Sequence, residues 1–236
     1  MQAQFHAADV TARSDTLLIM LPGAMQRPDD FVTAGFVRAM RSRALLLDLQ
    51  LASFDDGTVA DITSTATLQK IDTDLIQPAR RAGYAKIWLS GISMGALMAL
   101  AYTDFHAGQV QGLCLLSPYP GNRLLLREIA VAGGLHAWHP HATADVSVDQ
   151  IAHLTEDLDA EQRLWRCLKN PAGLGNLYLG YGSEDRFVDG LRQITQALPG
   201  AAIDIIAGGH DWQTWEKLWC NFLDSVFVGK LDKTIF

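Results

Sequence analysis

The 236-residue chain predicts an α/β fold: a mostly parallel, doubly wound sheet that carries a small helical cap insertion. Three observations lead there. Short, continuous apolar runs alternate with segments whose apolar residues recur every three or four positions, as expected when both faces of each strand are covered by helices. One apolar run ends in Gly91-Ile92-Ser93-Met94-Gly95 with a helix-forming run directly behind it. The alternation then breaks between Tyr119 and Leu174, a stretch far longer than the ~2–6 residues of an ordinary βα connection.

The strands are expected at Leu17–Leu21, Ala44–Leu49, Ile87–Ser90, Leu113–Ser117, Leu177–Tyr181 and Ala202–Ile206, each a short apolar run. Helical periodicity places helices at Ala66–Ala82, Met94–Phe105, Asp189–Ala197 and Thr214–Phe227. Helix-like pieces at Asn122–Val131, Asp149–Leu154 and Asp159–Leu168 fall inside the interruption, so residues 119–174 read as a cap inserted into one domain spanning 1–236. Asp55–Thr65 is a second long, polar connection with no evident role.

Hydrophobic residues make up 49% of the chain and charged ones 19%, an ordinary globular balance without repeats or low-complexity tracts. The net charge is −7 and no Lys/Arg block interrupts it. The electrostatic term that drives nucleic-acid or anionic-membrane binding is therefore lacking, and neither partner is expected. Cys114, Cys167 and Cys220 are widely separated and lack metal-ligand spacing, so they read as buried thiols of a reducing compartment. No signal-like h-region precedes Ser14 and no apolar run approaches the ~20 residues of a membrane span. The expected location is the cytoplasm.

Chemistry enters with Ser93. A serine on a sharp strand-to-helix turn needs almost no side-chain bulk beside it, which Gly91 and Gly95 supply, and its hydroxyl then points outward. The first turn of the following helix brings the Met94 N–H and the positive end of the helix dipole towards any oxyanion formed there. Serine alone is a poor nucleophile and requires a base and a group to orient that base. Asp185 follows a strand that ends at Gly182, with Glu184 as its adjacent rival. His210 follows the next strand, in Gly208-Gly209-His210-Asp211-Trp212. All three are thus delivered to the carboxyl edge of the sheet, where open α/β sheets bind ligands. Asp211 reads as the cap of the last helix rather than as an acid. Leu17–Leu21 runs into Pro22-Gly23, after which the N–H of Ala24 or Met25 can supply a second oxyanion donor.

Taken together, these motifs resemble the α/β-hydrolase superfamily, from about Leu17 to the last helix. The nucleophile, acid and histidine follow in the order of that family, although many relatives carry His-Gly where this chain has Pro22-Gly23. The segment Gly208–Trp212 with Trp215 is also similar to the histidine segment of esterase-D and enterochelin-esterase relatives. The resemblance implies a Ser93–His210–Asp185 triad with Ala24 and Met94 as oxyanion donors, no cofactor and no metal. It also implies that Pro118 and Tyr119 line the acyl site.

The remaining candidates have plainer readings. His136, His139 and His141, with Asp145 nearby, lack a Cys or Glu at a usual zinc spacing and read as a loop. His6, His106 and His153 stand alone. Trp138, Trp165, Trp212, Trp215 and Trp219 are mainly packing residues, with Trp212 a candidate border of the pocket.

The implied activity is hydrolysis of an ester or thioester of a small to medium acyl group through an acyl-enzyme. An acyltransferase, a lyase or a cofactor-free peroxidase would use the same scaffold, and a non-catalytic binding protein would have been expected to lose a triad member. The apolar pieces Leu124–Leu126 and Ile129–Val131 suit an acyl pocket or cap-to-core packing. An apolar cap face serves equally as a lid or as the contact of a homo-oligomer.

Overall fold

The computed structural model describes residues 1–8, 13–54, 64–140 and 160–228. Its elements are β1 (Gln2–His6), β2 (Thr16–Leu21), α1 (Pro28–Thr33), α2 (Phe36–Ser42), β3 (Asp48–Ser53), α3 (Thr65–Ile71), α4 (Gln77–Arg81), β4 (Lys86–Ile92), α5 (Met94–Phe105) and β5 (Gly112–Leu116). Then follow α6 (Arg123–Val131), α7 (Ala160–Lys169), β6 (Asn176–Gly182), α8 (Val188–Gln196), β7 (Ala202–Ile206) and α9 (Trp212–Leu223). The strands form one sheet in the order β1-β3-β2-β4-β5-β6-β7. Only β1 runs antiparallel to its neighbour; β2 to β7 are parallel.

Alternation along the strands sends side chains to two cores. From β2, Leu17, Ile19 and Leu21 join α3, α5, α7 and α8 on one face, whereas Leu18 and Met20 join α1, α2 and α9 on the other. Helix α5 is buried all along Gly95–Thr103, which explains why it is apolar on every side rather than amphipathic. The sheet lies beneath it and the cap helix α7 packs across it. Asp104 fastens that contact, accepting from Arg166 Nη2 at 2.6 Å and from Arg163 Nη1 at 3.5 Å. The Arg163 guanidinium, itself buried, also lies 4.6 Å over the Phe105 ring.

Three sequence expectations are corrected. β3 lies at Asp48–Ser53 rather than Ala44–Leu49, because its partners on β1 and β2 pair with Asp48 to Ser53. Asp48 can open a buried strand because its carboxylate accepts from the Ala8 N–H at 2.8 Å and the Tyr84 hydroxyl at 2.6 Å. The helix expected over Ala66–Ala82 is three pieces, α3 and α4 joined by a π turn over Asp72–Ile76. Pro78 lacks the N–H that a continuous ladder would need, and a widened turn accommodates it. Likewise the last helix ends at Leu223 and passes into a π turn over Asp224–Val228.

Strand β1 and the helices α1 and α2 had no counterpart in the sequence reading. Within the insertion, α6 and α7 stand where helix-like pieces were expected; Asp149–Leu154, His141, Asp145 and His153 lie outside the described residues. So does most of Asp55–Thr65. Among the described residues no helix is long and apolar enough to cross a membrane.

Trp219 is the centre of the second core: fully buried, stacked on Phe36 at 5.2 Å, with its Nε1–H donating to the Phe36 carbonyl at 3.0 Å. Trp219→Ala removes this volume and a buried hydrogen bond, and is expected to cost about 4 kcal/mol of stability. Urea unfolding measures it; a loss under ~1 kcal/mol would mean that α2 and α9 are not held through this residue.

Candidate active site

The turn from β4 into α5 holds Ser93 at φ 52° and ψ −112°, far from its neighbours' regular conformations. Steric crowding dictates the glycines around it. A Cβ on Gly91 would stand 2.2 Å from the Gly95 carbonyl carbon, and a Cβ on Gly95 would stand 2.3 Å from the Leu21 carbonyl oxygen. Neither distance is tolerable, so β4, α5 and the end of β2 can meet only with hydrogen at both positions. The strained residue is fixed by its hydrogen bonds: the Ser93 N–H donates to Leu116 O at 2.9 Å, and Ser93 O accepts from the N–H groups of Ala96, Leu97 and Tyr119 at 3.0–3.1 Å.

The structure brings Ser93, His210 and Asp185 together. His210 Nε2 is 3.0 Å from Ser93 Oγ, and His210 Nδ1 is 2.8 Å from Asp185 Oδ2. Two loops deliver the pair. The Ser183 N–H donates to Ile206 O at 2.7 Å and the Glu184 N–H to Gly208 O at 2.9 Å, so the turns after β6 and β7 are sewn together before either side chain is placed. Glu184, the rival acid, is exposed on this seam while Asp185 is buried. Asp211 accepts from the Thr214 N–H at 2.9 Å as the N-cap of α9, which anchors the residue next to His210.

Burial is the largest influence on Asp185 and pushes its pKa up, but hydrogen bonds outweigh it. The contact with His210, the Phe187 N–H at 2.9 Å on Oδ1, the His210 charge and the nearby Ser117 hydroxyl together hold the carboxyl below the ordinary aspartate value. Ser117 Oγ exerts this pull without reaching hydrogen-bonding geometry with any described residue. Phe187 and Trp215 close on the imidazole from two sides, both edge-on, with centroids 5.1 and 5.0 Å from it. The ring meeting His210 is thus that of Trp215, not of Trp212, which packs against Phe31, Phe36 and Trp215. Trp212 and Trp215, three residues apart, share a face of α9 and touch edge-on at 5.3 Å, and of the two it is Trp215 whose ring reaches His210. Tyr119 stands against Phe187 at 5.3 Å.

On the opposite side of Ser93, the loop after β2 folds into a tight turn. The Gly23 N–H donates to Gln26 Oε1 at 2.7 Å and the Gln26 N–H returns to Gly23 O at 3.2 Å. Ala24 and Met25 form the exposed tip, with Met25 at φ 64°. The N–H groups of Ala24, Met25 and Met94 find no protein acceptor among the described residues, whereas that of Gly23 is taken. Ala24, Met25 and Met94 border a cavity of about 870 Å³ that also reaches Gln4, Ser53 and Phe54.

Phe187, Trp215 and Ser117 were not singled out by sequence reasoning as parts of the site. Phe187 and Trp215 carried a weak signal, as aromatics two residues after Asp185 and five after His210; Ser117 carried none.

Comparison with known proteins supports the fold reading. No family model matches the chain, and no curated protein matches it either. Solved structures do. Est1E from Butyrivibrio proteoclasticus is 15% identical with a TM-score of 0.65, over 98% of this chain and 94% of that one. The fluorophosphonate-binding serine hydrolase FphF of Staphylococcus aureus is 13% identical with a TM-score of 0.63, over 92% and 85%. An S-formylglutathione hydrolase of Staphylococcus aureus is 13% identical with a TM-score of 0.59, over 90% and 81%. The chain has the α/β-hydrolase fold of these esterases and serine hydrolases.

The lowered pKa of Asp185 has a consequence for acid stability. Its folded value lies below the unfolded one of about 3.9, so folding favours the anion. The stability it contributes is fully present above pH ~4 and is lost as the pH falls through the folded value. The stability gap between the natural chain and Asp185→Asn is therefore expected to shrink as the pH falls from ~5 into stronger acid. Urea midpoints across that range check this; a gap that widens in acid would contradict it.

Proposed function

We propose that the chain is a serine hydrolase acting on carboxylic esters or thioesters of small to medium acyl groups. The observation that carries this reading is the unbroken contact Ser93 Oγ–His210–Asp185 beneath a strained strand-to-helix turn. His210 Nε2 takes the Ser93 proton as Oγ attacks the substrate carbonyl, while Asp185 holds the Nδ1–H tautomer and faces the imidazolium that forms. The oxyanion is met by the Met94 N–H and by that of Ala24 or Met25, each donor worth about 3 kcal/mol in the transition state. His210 then protonates the leaving group, and water releases the acyl chain by the reverse roles.

Direction follows from this chemistry. The leaving group must lie on the His210 side, against Phe187 and Trp215, because His210 is its proton donor. The acyl group is left with the cavity beside Ala24 and Met94. The similarity to an enzyme named for a thioester, S-formylglutathione, supports keeping thioesters in the substrate range. Free, buried Cys114 and Cys167, the latter with its pKa pushed up to about 12 by burial, suit a cytoplasmic location.

Intact mass after treatment with a fluorophosphonate tests the assignment without knowledge of the substrate. One adduct per chain is expected, absent in Ser93→Ala and His210→Ala. On activated aryl esters, Asp185→Asn is expected to fold normally and lose roughly 10⁴-fold in kcat, the loss seen for the same change in a well-characterised triad enzyme. A folded natural chain that takes no label would leave a ligand-binding protein as the better reading.

A further inference from the structure

Ser117 stands immediately after β5 and has no part in the relay just described, yet its environment is unusual in two ways. Its φ is 45°, in the left-handed region that residues with a Cβ enter only against steric resistance. Its side chain is wholly buried, and Oγ has no hydrogen-bond partner among the described residues. Buried hydroxyls are normally satisfied, and strain of this kind persists where the surroundings over-determine it, often at functional sites.

Its surroundings do so here. The Ser117 N–H donates to Gly180 O on β6 at 2.8 Å, while the residue before it and the second residue after it serve the nucleophile: Leu116 O accepts from Ser93 N–H and Tyr119 N–H donates to Ser93 O. Ser117 is thereby pinned between the strand that bears the nucleophile and the strand that bears the acid. Asp185 follows that same strand, five residues after Gly180, and is buried, with Oδ1 held by the Phe187 N–H and Oδ2 by His210. A carboxylate has about four acceptor positions, and these two bonds leave room for another donor.

We propose that Ser117 is a positioning residue whose hydroxyl donates to Asp185 when the imidazolium forms, holding the carboxylate in the plane of His210 Nδ1. No proton leaves Ser117; the hydrogen bond shortens as charge develops and lengthens as it is discharged. The direction of the Asp185 pKa agrees, since the Ser117 hydroxyl is among the groups that lower it. This inference rests on the triad reading above.

Two variants separate the hydroxyl from the backbone. Ser117→Ala removes Oγ and keeps the strain; Ser117→Gly removes Oγ and relieves it. The readout is the rate of fluorophosphonate labelling from pH 5 to 9, with thermal unfolding alongside. Both variants are expected to label about tenfold more slowly at neutral pH, as befits one lost hydrogen bond to a charged group, with the acid limb of the rate profile moved to higher pH. Ser117→Gly is expected to melt ~3 °C above Ser117→Ala. Natural labelling rates in Ser117→Gly would overturn the proposal, because only backbone strain would then matter. Undiminished rates in both variants would overturn it while leaving the hydrolase reading intact. A natural chain that takes no label would remove both.

Discussion

Everything in the site depends on the close approach of three backbones at Ser93. Strand β4, the first turn of α5 and the end of β2 meet with only hydrogen between them, at Gly91 and Gly95. A single methyl at either place would push α5 away from the sheet. The Met94 N–H, the loop of Ala24 and Met25, and the hydroxyl of Ser93 would then lose their common centre. Because interiors are packed to crystal density, such a displacement cannot be absorbed locally. The twisted conformation of Ser93 is held by its own backbone bonds: its N–H is engaged by the last residue of β5 and its C=O by Tyr119 in the loop that follows.

From that fixed point the electrostatics follow. Asp185 is a buried anion, and a buried anion survives only if donors surround it. The Phe187 N–H and His210 supply them, and the rings of Phe187 and Trp215 keep water from the imidazole edges. The low local dielectric strengthens each of these bonds. The hydrogen bonds between the turns after β6 and β7 set the position of acid and base together, so the pair moves as a unit rather than as two independent loops.

The cap is tied into the same region by charge. Glu161 at the start of α7 accepts from both the backbone N–H and the side-chain amide of Asn122, at 2.9 and 2.6 Å, and Asn122 in turn caps α6. Burial and, secondarily, the Glu161 charge raise the pKa of the hydroxyl of Tyr119, whose ring centroid lies 5.3 Å from that of Phe187. Arg166 of α7 in turn grips Asp104 near the C-terminal end of α5, which fastens the described part of the insertion to the nucleophile helix.

Much of this was legible without coordinates, and the reason is local. Strands β2 and β4 to β6 are buried on both faces and so read as apolar runs, and the part-exposed edge strand β7 reads as one through Ile203, Ile205 and Ile206; Ser93, Asp185 and His210 could be found because glycines and strand ends mark their turns. Strand β1 could not, since Gln2–His6 is an exposed edge with no apolar run, and β3 was displaced because its limits are set by partners rather than by its own residues. What the sequence by itself determined is the order of elements and the chemistry at the strand ends. Only the tertiary structure decided that Asp185 rather than Glu184 faces the imidazole, that Trp215 rather than Trp212 meets it, and that Ser117 is buried with its hydroxyl unpartnered among the described residues. Those outcomes depend on which distant backbones touch, and spacing along one chain carries no record of such contacts.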